Sequence, residues 1–547
     1  MKYTIKYLSC FLFICLTILP TCSYTDDIDE FDDLLEAISA DDLQVTRSCE
    51  PGEAGDWVSY LDLLEIPKLF DEDFYNVTSL PNHRNVINYP NFFIFSYQAP
   101  EKQQLTFHMF YNQTSKKHFT QDEEFECYKH KKHEVNGRAL GSYLNIENGT
   151  FLSVLENDLK NFGSVLPPSL DPLKQIDFPT IFKTIAQAQL QERRLGFLAH
   201  YYKQINEKTS LELKLPLLWQ VRNLNFTEEE KRMLRKEFDD FQDSDFDEME
   251  FGKQHIIFDA FGTGTLDVTV KRTVWEGSKY DLQVGATVFL PTDGHWAQGW
   301  YGTYFEPKDQ QPILRLCDLV DIGNVKLEKN APEIIEKFFL GALDHLSSAI
   351  LQCPLGYDKH LGVALKILPY WQLRPNLEYS GVYILEYLFP HEHPRFFIPK
   401  SDTPFSEQFA ALSGQPEKQL DLLERQITTR LYPRVFTAKV TPGFLFNTVA
   451  NFQTSYKDWN FTAGYNWWYR TGEKLSDIQA SESEVRDLNI CKATNTSASQ
   501  VKLYGKIHRL FETDNHAISF SFYGNVTVYN HNIGNDFSLG ISFDKSF

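Results

Sequence analysis

The amino-acid sequence predicts an all-β chain closed into an antiparallel transmembrane β-barrel of about 14 strands, within a range of roughly 12–16, with helical insertions. Three observations lead there. Segments of alternating apolar and polar residues run about 9–13 residues, the length a tilted strand needs to cross a bilayer. Aromatic residues make up 15% of the chain, with 44 Phe and 27 Tyr, an excess that suits interfacial girdles better than a water-soluble domain. The chain stops at FSLGISFDKSF, inside such an alternation, on Phe547. A soluble sandwich also alternates, but its strands average about five or six residues, and a sheet of so many strands must split or close.

Taken in order, MKYTIKYLSCFLFICLTILPTCSYTDD has a basic start at Lys2 and Lys6, a dozen apolar residues from Leu8 to Leu19, and small or polar residues before an acidic stretch. That apolar run falls short of the roughly 20 residues a spanning helix needs, so residues 1–23 read as a secretory signal peptide cleaved near Ser23. Lipid modification of Cys22 is the rival, with Pro20 and Thr21 fitting poorly before it. Residues 24–90 read as an acidic periplasmic or plug segment and 91–547 as the barrel.

The alternation is explicit in several places. SLELKLPLLWQ sets Leu211, Leu213, Leu215, Leu217 and Trp219 opposite Glu212 and Lys214. LDVTVKRTVW and YDLQVGATVFL form a hairpin turning at residues 276–279, with Asp267, Thr269, Lys271, Asp281 and Gln283 on the polar parity. WNFTAGYNWWYR, HAISFSFYGNVTVYN and the final segment behave alike; in the last, Phe537, Leu539, Ile541 and Phe543 alternate with Ser538, Gly540, Ser542 and Asp544. Further strands are expected at 92–99, 104–112, 195–204, 255–261, 361–371, 377–389, around Val435, and at 444–456.

Helical periodicity appears near 176–193, 227–241, 332–352 and 416–428. The third, PEIIEKFFLGALDHLSSAILQ, follows a capping Asn330 and carries an apolar stripe that needs a partner surface, read as this same chain.

The C-terminal residues resemble the last strand of bacterial outer-membrane β-barrel proteins, with Ser538, Gly540, Phe543 and Phe547 in the places of the assembly signal and Lys545 where a hydrophobic residue is usual. The resemblance, in style over roughly residues 90–547 and with no subfamily recognised, implies the outer membrane of a diderm bacterium. It implies outer-membrane lipid and the barrel assembly machinery as partners, and passage of small solutes or hydrophobic compounds through a lumen. Glu212, Lys214, Asp267, Thr269, Lys271, Asp281 and Gln283 are the candidate lumen-facing residues, placed there by parity alone. A homo-oligomer is left open.

Other functions find little support. A net charge of −21 argues against nucleic acid and against anionic membrane surfaces. FGTGTLD lacks the lysine of a phosphate loop, and no GxSxG elbow, HExxH helix or paired-cysteine zinc motif is present, so the expectation is no enzyme, no cofactor and no metal. DSDFDE begins like a calcium loop, but Glu248 takes the glycine place. Cys127, His130 and His133 have zinc-like spacing but read as a lysine-rich exposed loop, and His391 and His393 in FPHEHPRFF read as rim residues on one face of a strand end. A bridge between Cys317 and Cys353 is left open. Seven Asn-x-Ser/Thr triplets keep a secreted β-rich glycoprotein as a rival, although Asn525 falls mid-strand, where a glycan is awkward. A barrel enzyme acting at the outer rim is the second rival.

Overall fold

The computed structural model describes residue 58, residues 103–114, 119–122, 132–135, 189–229, 232, 252–292, 294–298, scattered positions in 315–351, then 355–397, 400, 404–495, 497–513, 516–531, 533 and 535–546. The expected signal peptide 1–23 with Cys22, the segment 24–90 apart from Val58, the strand expected at 92–99, the 239–251 acidic run, Cys127, Cys317, Cys353 and Phe547 lie outside these residues.

Among the described residues, twelve strands close a barrel. They are β1 (Gln103–Thr114), β2 (Gln189–Asn206), β3 (Thr209–Asn225), β4 (Leu266–Glu276), β5 (Tyr280–Leu290), β6 (Gly362–Arg374), β7 (Leu377–Leu388), β8 (Leu445–Tyr456), β9 (Trp459–Arg470), β10 (Ala498–Thr513), β11 (His516–His531) and β12 (Asp536–Ser546). Each pairs antiparallel with the next, and β12 pairs with β1 from Gln104↔Ser546 to Thr114↔Asp536, which seals the cylinder. Closure leaves no open edge, the condition a sheet must meet in hydrocarbon.

The count falls at the low end of the expected range for identifiable reasons. The strand expected at 255–261 forms as Ile257–Thr263 and pairs with the upper part of β3, and the one around Val435 forms as Arg434–Thr441 in a separate three-stranded sheet with His391–Phe397 and Lys474–Ser476. β10, conversely, was not anticipated.

β3 shows how sequence sets topology. Thr209–Lys214 pair with β4, whereas Leu217–Asn223 pair with Ile257–Thr263. Pro216 sits at the change of partner, where a missing N–H costs the ladder nothing, and its carbonyl accepts from Gly264 N at 3.0 Å.

The two ends differ. β2–β3, β4–β5, β6–β7, β8–β9 and β10–β11 join through tight turns at the end where β1 starts and β12 stops; at the β8–β9 turn Lys457 adopts the left-handed region at φ 55°. Most of the long connections lie at the other end, called the loop end below.

The helices belong to those connections. Phe405–Ala411 (α1), which no periodicity announced, and Pro416–Leu431 (α2), with Pro at its first turn, pack through Gln419 Nε2 donating to the Phe409 carbonyl at 3.0 Å. Described positions of 332–352, among them Phe338, Ala342 and His345, are helical, and the partner surface is within this chain: Phe338 and Ala342 pack on Tyr432, whose hydroxyl donates to the Phe338 carbonyl at 2.5 Å. Glu228, Glu229 and Arg232 are helical within the expected 227–241 segment. The helix expected near 176–193 is corrected at its end: Gln189–Arg193 are β2, because the antiparallel ladder with β3 continues through Gln189↔Asn225 to Arg193↔Val221.

Candidate functional site: the barrel lumen and its loop-end rim

Along most barrel strands one parity is more apolar and exposed and the other buried and richer in polar groups, although β7 buries Val382, Ile384 and Leu388, and β8 buries Thr448 to Asn451 without alternation. Phe520, Phe522, Val526 and Val528 of β11 are exposed while Ser519, Ser521, Tyr523, Asn525 and Thr527 are buried; β10 alternates Leu503 and Ile507 with Lys502, Tyr504, Lys506 and His508. No soluble protein exposes so continuous an apolar surface without a partner, and here the partner is the medium outside the cylinder. Trp275, Tyr280, Trp371, Tyr456 and Trp459 ring the turn end, and Phe389, Phe444 and Tyr529 ring the loop end.

The buried parity carries charge. On the barrel strands seven buried cations (Arg194, Lys214, Arg222, Lys271, Lys366, Lys502 and Lys506) meet five buried carboxylates (Glu192, Glu212, Asp267, Glu386 and Asp536), so the wall is slightly basic in a chain of net charge −21. Charges buried this way must be paired. Glu212 pairs with Lys271, with His200 Nε2 at 3.9 Å. Lys366 Nζ donates to Thr269 Oγ1 at 3.0 Å, and Thr269 and Thr287 share a hydrogen bond of 2.8 Å. Nearer the loop end Glu192 pairs with Arg194 and, at 2.8 Å, with Arg222.

Asp536 is the densest node. Its carboxylate accepts from Asn112 Nδ2 at 2.6 Å, Lys502 Nζ at 2.7 Å, Thr527 Oγ1 at 2.8 Å and Gln500 Nε2 at 3.0 Å. These partners come from β1, β10 and β11, so one carboxylate laces the seam that joins the first and last strands.

Of the sequence-predicted lumen residues, Glu212, Lys214, Asp267, Thr269 and Lys271 are buried on neighbouring strands, with Lys214 opposite Asp267 and Glu212 opposite Thr269. Asp281 and Gln283 keep the same parity as Gly285 and Thr287 but lie at the turn end, partly exposed, away from the ion-pair cluster. Sequence reasoning missed Arg222, Lys366, Glu386, Lys502, Lys506 and Asp536; the alternation in VKLYGKIH was a signal for β10, and nothing local marked Asp536.

The C-terminal residues have structural work as well. Ser538 accepts from Asn112 at 3.0 Å, and Gly540 lies beneath the Tyr523 ring, where an added Cβ would stand 2.3 Å from Tyr523 Cζ. Phe543 is on the exposed row.

At the loop end, three histidines converge. His360, just before β6, and His393, on His391–Phe397, are buried, with their Nε2 atoms 3.1 Å apart. His360 Nδ1 is 2.7 Å from the Phe389 carbonyl and His393 Nδ1 3.4 Å from Asp358 Oδ2. Asp358 and Lys359 both occupy the left-handed region, at φ 54° and 62°, held by Tyr357, whose N–H donates to Thr265 Oγ1 at 2.9 Å and whose hydroxyl donates to Glu386 at 2.6 Å. Burial lowers the pKa of both imidazoles, His393 to about 4, against the opposing pull of Asp358. Nearby, burial also lowers that of His345, partly offset by its contact with the Pro433 carbonyl. Among the described residues, as the side chains stand, no group of three or more His, Cys, Asp or Glu could hold a metal ion.

No protein-family profile matches the chain, and no curated protein matches its sequence. Solved structures similar to it are outer-membrane barrels. An outer-membrane channel from Pseudomonas putida F1 is 8% identical, with a TM-score of 0.37, over 83% of this chain and 98% of that one. A toluene transporter from Ralstonia pickettii is 8% identical, with a TM-score of 0.28, over 82% and 90%. The transport unit of an autotransporter from Escherichia coli is 7% identical, with a TM-score of 0.28, over 83% and 93%. The barrel assignment rests on the strand pairings of this chain.

Proposed function

We propose that this protein is an outer-membrane channel of a diderm bacterium that passes small solutes or hydrophobic compounds through its barrel lumen. The observation that carries the reading is one closed cylinder, most of whose strands show an apolar exposed row outside and a buried row inside that holds charges on β2–β4, β6, β7, β10 and β12. Hydrocarbon accepts such a wall because its strands pair all round the cylinder, and the polar row then faces the barrel interior, away from lipid. In bacterial single-chain barrels the short turns face the periplasm and the long loops the exterior, which would put α1, α2 and the histidine rim outside. Outer-membrane lipid is the surrounding partner. The assembly machinery is the partner proposed for β12, through Ser538, Gly540, Phe543 and Phe547.

Glu212, Lys214, Asp267, Thr269 and Lys271, with Asp281 and Gln283 at the turn-end mouth, are proposed as part of the inside wall. Pairing neutralises most of its charge, so the passage would discriminate weakly between ions and lean toward anions. The test is conductance of the refolded protein in planar bilayers, together with sugar permeation in liposomes. Stepwise openings with a weak anion preference are expected, and Lys271→Glu should move that preference toward cations. A folded, heat-modifiable barrel that conducts no ions and passes no sugar overturns the proposal.

A further inference from the structure

The histidine rim carries an inference that stands apart from solute passage. A carbonyl oxygen only accepts, so His360 Nδ1, 2.7 Å from the Phe389 carbonyl, must be the protonated nitrogen, which leaves the lone pair of the neutral ring on Nε2. The Asp358 carboxylate lies 3.4 Å from His393 Nδ1, where it attracts a proton to that nitrogen. The two buried Nε2 atoms are 3.1 Å apart, a separation bridged by a hydrogen bond in the free protein, with His360 Nε2 accepting, and open to a shared cation in its place when both rings are protonated on Nδ1. Metal-ligating histidines have this form: one ring nitrogen on the metal, the other donating to a carbonyl or a carboxylate.

The distances fit. Two nitrogens bound at about 2.0–2.1 Å to a tetrahedral ion lie a little over 3 Å apart, and the imidazole rings around it have centroids roughly 5 Å apart. The centroids of His360 and His393 are 4.8 Å apart, those of His391 and His393 4.9 Å, and those of His360 and His391 5.9 Å. His391 is exposed and alternates with His393 on the same face of the strand, its ring beside that of His393. The successive left-handed residues Asp358 and Lys359 are a local conformational cost concentrated beside the pair, as at sites where geometry is imposed for function.

We propose that His360 and His393 bind a divalent late transition-metal cation, zinc or a chemically similar ion, through Nε2, with His391 as third ligand and Asp358 as the positioning carboxylate. Imidazole ligands favour this class over calcium or magnesium. The bound ion would clamp the segment before β6 to the strand after β7 at the loop-end mouth.

The test uses full-length mature protein, refolded in detergent without a histidine tag. Zinc is titrated calorimetrically, and cobalt is used as a spectroscopic probe. One ion per chain is expected, with tetrahedral cobalt absorption. His360→Asn and His393→Asn should each lower affinity at least about 100-fold, and Asp358→Asn about 10–100-fold. His391→Asn should change the cobalt spectrum, and His531→Asn on β11 should leave binding unchanged. A wild-type protein that binds zinc no more tightly than about 1 mM overturns the proposal, as does a folded double variant lacking His360 and His393 that binds as well as wild type. If those variants fail to fold, protection of His360 and His393 in the wild type from diethyl pyrocarbonate by zinc decides it: protection supports the site, and equal modification with and without zinc overturns it.

Discussion

Asp536 shows what a single carboxylate does when four strands meet. It is buried, and Lys502, Asn112, Gln500 and Thr527 all donate to it. Asp536→Ala leaves Lys502 charged and buried, and breaking such a pair costs about 3–5 kcal/mol. Denaturant unfolding of the barrel in detergent should show that loss, and Lys502→Met in the same chain should recover part of it. Gly540 makes the complementary point. A methyl there meets the Tyr523 ring, so Gly540→Ala should cost about 1–3 kcal/mol, relieved when Tyr523 is also reduced to Ala. Alternation makes the inward parity of Glu212 or Lys214 readable from neighbours, whereas the partners of Asp536 lie 9 to 424 residues away and no local pattern encodes them. His360 belongs with the latter: FPHEHPRFF announces two histidines on one face, but the third arrives from before another strand.

At the scale of elements, sequence legibility follows periodicity. Strands whose two faces see lipid and lumen were visible because the two media demand opposite chemistry at every second residue. Ile257–Thr263 and Arg434–Thr441 are strands too, yet leave the cylinder: the first joins β3 above Pro216, and the second packs Ala438 with Phe397, Leu488 and Ala493 in the rim sheet. Period alone does not say which sheet a strand enters. The barrel faces predict a depth-dependent cost: Phe522→Arg near the middle of β11 should destabilise the protein by about 2–4 kcal/mol, and Trp275→Arg at the turn-end girdle by no more than about 1 kcal/mol, measured by unfolding in lipid bilayers. The rim sheet has its own signature. The folded pKa of His393 is lowered to about 4, so local opening takes up a proton as the pH falls below 6.5, the ordinary histidine value. Stability contributed by the neutral ring is present above that pH and is lost progressively down to about 4. Hydrogen exchange over His391–Phe397, corrected for intrinsic rate, should show protection falling across that window in wild type, with a smaller change in His393→Asn.

At the scale of the whole molecule, the first and last strands must find each other across more than 400 residues, Asn112 to Asp536 being 424 apart, before the cylinder is sealed. Once sealed, the wall has no open edge and two chemistries, greasy outside and charge-paired within. The twelve-strand count shows what composition leaves undetermined: alternation supplies strands, while closure is decided by pairings such as Phe107↔Phe543 that only the assembled chain displays. The central claim is that the exposed rows face lipid around that cylinder. Spin labels placed singly from residue 519 to 528 on β11, in the protein reconstituted in bilayers, test it most directly through their accessibility to oxygen and to a water-soluble nickel chelate. The account predicts oxygen maxima at 520, 522, 526 and 528, out of phase with positions 519, 521, 525 and 527. A profile without that two-residue period, or one in which the apolar row is reached by the nickel chelate, contradicts it.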